Sequence, residues 1–211
     1  MSKEIIIVTI SLGNDGAERI LTELARQWHQ DGHKITVIQT SPNRYGTEYA
    51  LPEGIEQIQI HTTSSNKIIR FLQEIKVLIG ILKKRPRATC LSFLSASSFI
   101  LAISSWFVKN RIVFSERNNP RKVPVGKHQQ MLRDFAFNFA DAIVFQTEDA
   151  KSYFSHTIQS RGHIIPNPIN GNLPEPYEGE RDKTIVTACR LHPQKKLPMM
   201  INAFNMLADE F

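Results

Sequence analysis

Apolar residues in this chain follow two kinds of pattern that take turns from the amino terminus. Residues 4–10 (EIIIVTI) are a β-branched run, as expected of a strand buried on both faces of a parallel sheet. A glycine-containing loop follows at 11–15. Ala17, Ile20, Leu21, Leu24 and Trp28 then recur at helical spacing, and Gly32 stands where a helix C-cap belongs. Asp15 and Glu18 read as a capping box for that helix. Residues 34–39 (KITVIQ) predict a second strand and 56–60 a shorter third.

Residues 66–85 predict a long basic amphipathic helix. Its apolar stripe is Ile68, Phe71, Leu72, Ile75, Leu78, Ile79 and Leu82, and Pro86 ends it. Residues 88–108 carry no charge and have basic flanks at Arg85, Arg87, Lys109 and Arg111, the length and setting of a membrane span. Seven Ser and Thr residues within the stretch favour a buried strand at 88–93 running into a buried helix at 97–108. Further strands are expected at 111–115, 142–146 and 162–165. Helices are expected at 127–140, with Met131, Leu132, Phe135 and Phe139 inward, and at 148–155. Strands alternating with helices imply βαβ units and a doubly wound, mostly parallel Rossmann-like sheet.

The texture changes at Pro166. Residues 166–182 are rich in Pro and Gly and have little to bury, so they read as a linker between a first domain, 1–165, and a second segment, 183–211. That segment predicts one strand (184–188, TIVTA) and one helix bearing Met200, Ala203, Phe204 and Leu207. Strand plus helix is too little for a domain, so a truncated second domain is expected.

Composition narrows the partners. The chain has 211 residues, 41% hydrophobic and 22% charged, which excludes wholesale disorder. A net charge of +6 favours an anionic partner without choosing between nucleic acid, acidic lipid and phosphorylated small molecules. Two cysteines, Cys90 and Cys189, allow neither a disulfide framework nor a four-cysteine zinc site. No signal peptide pattern opens the chain, so a cytoplasmic setting is the default.

Open parallel sheets bind ligands at the carboxyl ends of their strands, which singles out three loops. The first, 11–19, holds Gly13, Asp15, Gly16 and Glu18. Glycine admits a close ligand and a helix N-terminus offers unpaired N–H groups. It lacks the Gly-x-Gly-x-x-Gly dinucleotide fingerprint, and no acid follows the second strand to hold a ribose. A merely capped βα turn explains it equally well. The second loop, 115–120 (SERNNP), sets Glu116 and Arg117 beside two amides, suited to a hydroxyl-rich ligand unless both charges are simply solvated. The third, 189–198, places Arg190, Lys195 and Lys196 ahead of a helix start, where cations are poorly placed unless an anion such as pyrophosphate sits among them. The alternative is a solvated basic loop.

Taken in order, these segments resemble the amino-terminal part of the family 4 retaining glycosyltransferases, which have the GT-B fold. Asp15-Gly16-Ala17-Glu18-Arg19 is similar to the family's Gly-Gly-Ala-Glu-Arg, with Asp for the first Gly. Gly32 to Val37 resembles its turn into the second strand, and Ile165-Pro166-Asn167-Pro168-Ile169 its entry to the linker. Cys189-Arg190-Leu191 to Lys195, then Ile201-Asn202-Ala203-Phe204, is similar to Gly-Arg-Leu-x-x-x-Lys and Ile-x-Ala-Phe, with Cys for Gly.

The resemblance implies two Rossmann-like domains across a cleft, the first taking the acceptor and the second the nucleotide-sugar. Arg190 and Lys195 match the positions that neutralise the donor pyrophosphate, a role needing neither metal nor other cofactor. Gly16 matches the loop near the donor phosphates, and Gly13, Asp15 and Glu18 belong to the acceptor-side loop. Glu116 and Arg117 fall where many members carry a His near the transferred sugar, absent here, and are the candidate catalytic pair. In the family resembled, a Glu-x7-Glu donor motif lies further downstream than the segments matched here. The expected activity is transfer of a sugar from a nucleotide diphosphate, UDP-linked, to a glycan or lipid-linked acceptor in cell-envelope polysaccharide synthesis. The setting is the cytoplasm, with peripheral contact at the inner face of an anionic membrane through the 66–85 helix. A non-catalytic acceptor-binding or membrane-attached module is the alternative. Nucleic-acid binding rests on charge alone, without the interleaved aromatics such surfaces favour, and is not expected.

Overall fold

A computed structural model describes residues 2–13, 16–41, 49–93, 95–168, 175–180, 182, 184–189, 191 and 193–207. In chain order the elements are β1 (Glu4–Thr9), α1 (Gly16–Gln30), β2 (Lys34–Gln39), β3 (Glu56–Gln59), α2 (Lys67–Lys83), β4 (Thr89–Ser92), α3 (Ser95–Ser105), β5 (Arg111–Ser115), α4 (Lys127–Phe137), β6 (Ala142–Phe145), α5 (Glu148–Ser152), α6 (His156–Gln159), β7 (Gly162–Ile164) and α7 (Leu197–Leu207). The seven strands form one sheet in the order β3-β2-β1-β4-β5-β6-β7, and every pairing is parallel. The order reverses between β1 and β4, the crevice where such sheets take ligands. The fold is the expected doubly wound Rossmann-like one.

Strand alternation sorts the core into two layers. Ile6, Val8, Cys90, Ile112, Phe114, Ile143 and Phe145 face α2, α3, α4, α5 and α6. Ile7, Ile35, Val37 and Leu91 face α1 through Ile20, Leu21 and Ala25. Because both faces are covered, these strands read as continuous apolar runs rather than alternating ones. Gly32 ends α1 at φ +81, where the N–H groups of Gly32 and His33 close back on the carbonyls of His29 and Trp28 at 3.0 and 2.9 Å. A side chain would be strained at that φ. Asn66 caps α2 by accepting the N–H of Ile68 and Ile69 at 2.9 and 3.3 Å.

The uncharged stretch 88–108 resolves as β4 and α3, with Ser92, Ser97, Ser98 and Ser104 buried. Buried serines need partners: Ser92 bonds Ser97 at 2.7 Å, and Ser104 donates to the Ile100 carbonyl at 2.9 Å. Among the described residues no helix is long and apolar enough to cross a membrane.

Four expectations are corrected. On α4 the inward residues are Arg133, Ala136 and Phe137, while Met131, Leu132 and Phe135 are exposed. Positions 133, 136, 137 and 140 also have helical spacing; a buried arginine with nearly all its donors bonded turned the helix by about half a turn from the purely apolar reading. On α2, Ile68 and Leu72 point outward while Glu74 is buried. The helix expected over 148–155 ends at Ser152; Phe154 after it stacks on Phe137 and packs beside Phe145, and a separate short helix follows at His156–Gln159. Residues 184–188 form no strand: they are exposed and pair with no neighbour among the described residues. A strand exists through its ladder, and a β-branched run alone cannot supply one.

Packing divides the chain into two units, Met1–Ile169 and Asn170–Phe211. The second carries a 3-10 turn at Pro193–Lys195 and α7, whose Met199, Ile201 and Phe204 are exposed.

Candidate functional site

The candidate site of the first unit lies at the carboxyl ends of β4 and β5. Glu116 follows β5 directly, and its N–H bonds the Val144 carbonyl of β6 at 2.9 Å, so the sheet itself fixes its backbone. Its side chain is 4% exposed. One carboxyl oxygen accepts the Asn118 N–H at 3.0 Å; the other is buried without a hydrogen bond and lies 3.6 Å from the Arg133 guanidinium. Arg133 is itself buried. Its donors are spent on the carbonyls of Pro120 and Val123, at 3.0 and 2.8 Å, and on Asp134 at 2.8 Å, and its cation lies over the rings of Tyr153 and Phe154. Desolvation therefore outweighs the attraction of Arg133 and the bond from Asn118, and pushes the Glu116 carboxyl up to about 7.

Arg117 turns the other way. It is half-buried, and its guanidinium lies 4.9 Å above the Phe93 ring. It donates to the Ser115 hydroxyl at 3.4 Å and to the side-chain oxygen of Asn167. The structure thus brings together one end of β4, the loop after β5 and the Pro166-Asn167-Pro168 segment around one cation, whose acidity rises with burial. A groove of about 650 Å3 starts at Phe93 and Arg117 and runs down the α1 side of the sheet as far as Arg111 and Asp141 at the strands' amino ends. Only its upper end belongs to the site; the rest is sheet surface.

The loop after β1 lies at the same edge. Gly13 is buried, and Glu18, 7% exposed in the first turn of α1, accepts the Ser11 hydroxyl at 3.2 Å. This ties the loop to the helix. Gly16 opens α1, and a Cβ there would meet nothing within 4 Å, so no internal contact requires a glycine. Asp15 and Arg190 lie outside the described residues. Lys195 is exposed at the end of the 3-10 turn in the second unit, followed by Lys196 at φ 52. Among the described residues no group of His, Cys, Asp and Glu is arranged to hold a metal. Cys90 is buried, its thiol pushed up to about 12 by desolvation, which makes it an inert core residue.

Arg133 and Phe93 are the site's members that sequence reasoning passed over. The 133, 136, 137, 140 spacing was the available signal for Arg133; nothing local marked Phe93.

On the other face, at the same edge, the amino-terminal halves of α2, α3 and α4 enclose a second groove of about 450 Å3. Phe71 and Phe99 stack within it at 5.8 Å, Lys67 and Arg70 line it, and Glu74 lies 3.8 Å from Arg70. Burial raises the Glu74 carboxyl above its ordinary range, and Arg70 partly offsets this.

Comparison with known proteins bears on this arrangement. No curated protein matches the chain. Among solved structures, HepE of Anabaena in complex with UDP and glucose matches with a TM-score of 0.63 at 13% identity, over 80% of this chain and 45% of that one. The lipopolysaccharide outer core galactosyltransferase WaaB matches at 0.62 and 12%, over 79% and 46%. Sucrose-phosphate synthase of Thermosynechococcus elongatus matches at 0.61 and 7%, over 78% and 48%. At such identities the likeness is one of fold, and this chain spans about half the length of each. The Glycosyltransferase Family 4 model matches residues 14–172, from the loop after β1 through every remaining strand of the sheet. The chain belongs to glycosyltransferase family 4.

Proposed function

We propose that this chain provides the acceptor domain, and the beginning of the donor domain, of a retaining glycosyltransferase that uses a UDP-sugar. The observation that carries the reading is the convergence at one sheet edge of Arg117, the buried Glu116–Arg133 pair and the loop opening α1. The similarity to HepE, solved with UDP and glucose, supports the donor class.

In the transfer, the bond between the anomeric carbon and the β-phosphate oxygen breaks and a bond to an acceptor oxygen forms. The acceptor's proton leaves with the diphosphate, on which negative charge grows. Arg117, held by Phe93 and Asn167 and still half-exposed, is the fixed cation of the first unit placed to stabilise that charge or to orient the sugar. Glu116 is sealed from substrate, so its part is positional: it sets the 116–120 loop through the Asn118 N–H. Gly16 leaves room for donor phosphates, and Arg190 and Lys195 carry the pyrophosphate. The setting is cell-envelope polysaccharide synthesis on the cytoplasmic side. α2 makes a peripheral membrane contact there, with Lys76, Lys83 and Lys84 exposed behind Ile68, Ile69 and Leu72. Arg85 lies outside that face, holding Glu4 and Glu56 at 3.6 and 2.7 Å.

The test is sugar transfer by a chimera joining this chain to the second half of a structural relative. Arg117→Ala is expected to lower turnover by roughly a hundredfold, and Arg117→Lys to recover only part. Unchanged turnover in Arg117→Ala removes the assignment.

A further inference from the structure

The groove between α2, α3 and α4 joins an apolar surface to exposed cations. Its floor is Phe71, Phe99 and Ile100, and Leu132 and Pro124 close one side. Its volume, about 450 Å3, is that of a site for one small ligand rather than a flat docking face. Its charged lining is Lys67, Arg70 and Glu74 on α2 and, on α4, Arg133, whose donors are largely taken up by the carbonyls of Pro120 and Val123 and by Asp134. Lys67 has no carboxylate within ion-pair distance among the described residues, and Arg70 reaches only Glu74, at 3.8 Å.

The groove also adjoins the reaction edge. Arg133 lines it and is 3.6 Å from Glu116; Pro124 lines it and belongs to the loop whose carbonyls Arg133 holds. Apolar side chains continue outside it: Ile68 is 71% exposed, Leu72 58% and Val125 89%. An apolar cleft with an apolar rim and cations on one wall is complementary to an amphiphile with one chain and one anionic head.

Resting on the glycosyltransferase reading, we propose that this groove is the acceptor site and that the acceptor is a lipid phosphate, its chain against Phe71, Phe99 and Leu132 and its phosphate at Lys67 and Arg70. The groove lies at the sheet edge that also carries the 116–120 loop, and the rim at Ile68, Leu72 and Val125 keeps the rest of the chain among membrane lipids.

The test is calorimetric titration of the 211-residue chain with decyl phosphate, decyl maltoside and inorganic phosphate, all below micelle-forming concentrations and at low salt. Decyl phosphate should saturate at one per chain, decyl maltoside should bind about tenfold more weakly or worse, and inorganic phosphate should show no saturation. Lys67→Glu should cost about tenfold for decyl phosphate and nothing for decyl maltoside, whereas Leu132→Asp, at a half-exposed position that tolerates a charge, should weaken both. Equal affinity for the charged and neutral probes, saturation by inorganic phosphate alone, or indifference to Lys67→Glu would overturn the proposal. So would binding to phosphatidylglycerol vesicles without binding of monomeric decyl phosphate, which makes the groove part of a bilayer contact. Transfer by the chimera to a soluble glycan, with no decyl phosphate binding, sinks this inference and spares the glycosyltransferase reading. Saturable decyl phosphate binding with no transfer from any nucleotide-sugar does the reverse.

Discussion

Glu116→Gln separates the energetics of the buried pair from everything else that titrates. Burial raises the Glu116 carboxyl from an ordinary 4.5 to about 7, so between those values the folded chain holds a proton that the unfolded chain has released. The unfolded state binds fewer protons there, and stability falls as pH climbs through the window. A shift of about 2.5 units at 1.36 kcal/mol each amounts to on the order of 3 kcal/mol, with no discount for solvent at a side chain this buried. Gln keeps an acceptor for the Asn118 N–H and cannot titrate. Urea midpoints at pH 5, 6, 7 and 8 should show the variant gaining on the natural chain by about 2 to 3 kcal/mol from the lowest pH to the highest, with the difference level above about pH 7. Parallel curves for the two proteins would refute the reasoning. If the natural chain instead gained on the variant as pH rose, the Arg133 attraction would outweigh desolvation, and Glu116 would be an ordinary ion-pair partner.

Arg133→Met should cost about 3 kcal/mol or more and visibly lower the melting temperature, because the carbonyls of Pro120 and Val123 lose their donors and Glu116 loses its only nearby cation among the described residues. Gly16→Ala should leave the urea midpoint unchanged or raise it by up to about 1 kcal/mol, since its Cβ meets nothing, yet lower transfer by the chimera if donor phosphates lie against that backbone. Lys76, Lys83 and Lys84 all changed to Glu should abolish flotation with phosphatidylglycerol liposomes; equal flotation of the natural chain with neutral liposomes would remove the membrane contact.

Much of the frame was legible because it is local. The run at 4–10, the KITVIQ and RIVFS segments and the stop at Pro86 mark elements by period and composition, and Gly32 marks a cap by its allowed φ. The candidate loops follow from the same frame, since a parallel sheet presents its ligands at the carboxyl ends of its strands. Sequence order also carried the family, through motifs spread from Gly16 to the Pro166-Asn167-Pro168 segment.

What tertiary structure decided was which side of each element meets the core. Leu132 and Phe135 are outside and Arg133 inside because a guanidinium with nearly all its donors bonded, stacked on Tyr153 and Phe154, is a better core neighbour there than its hydropathy suggests. Glu116 became a carboxyl pushed up to about 7 only because the fold buries it almost completely, a fact no window around residue 116 contains. The same holds for residues 184–188, where a strand-like sequence stays unpaired. Periodicity states what an element would bury, whereas pairing and desolvation belong to neighbours distant in sequence.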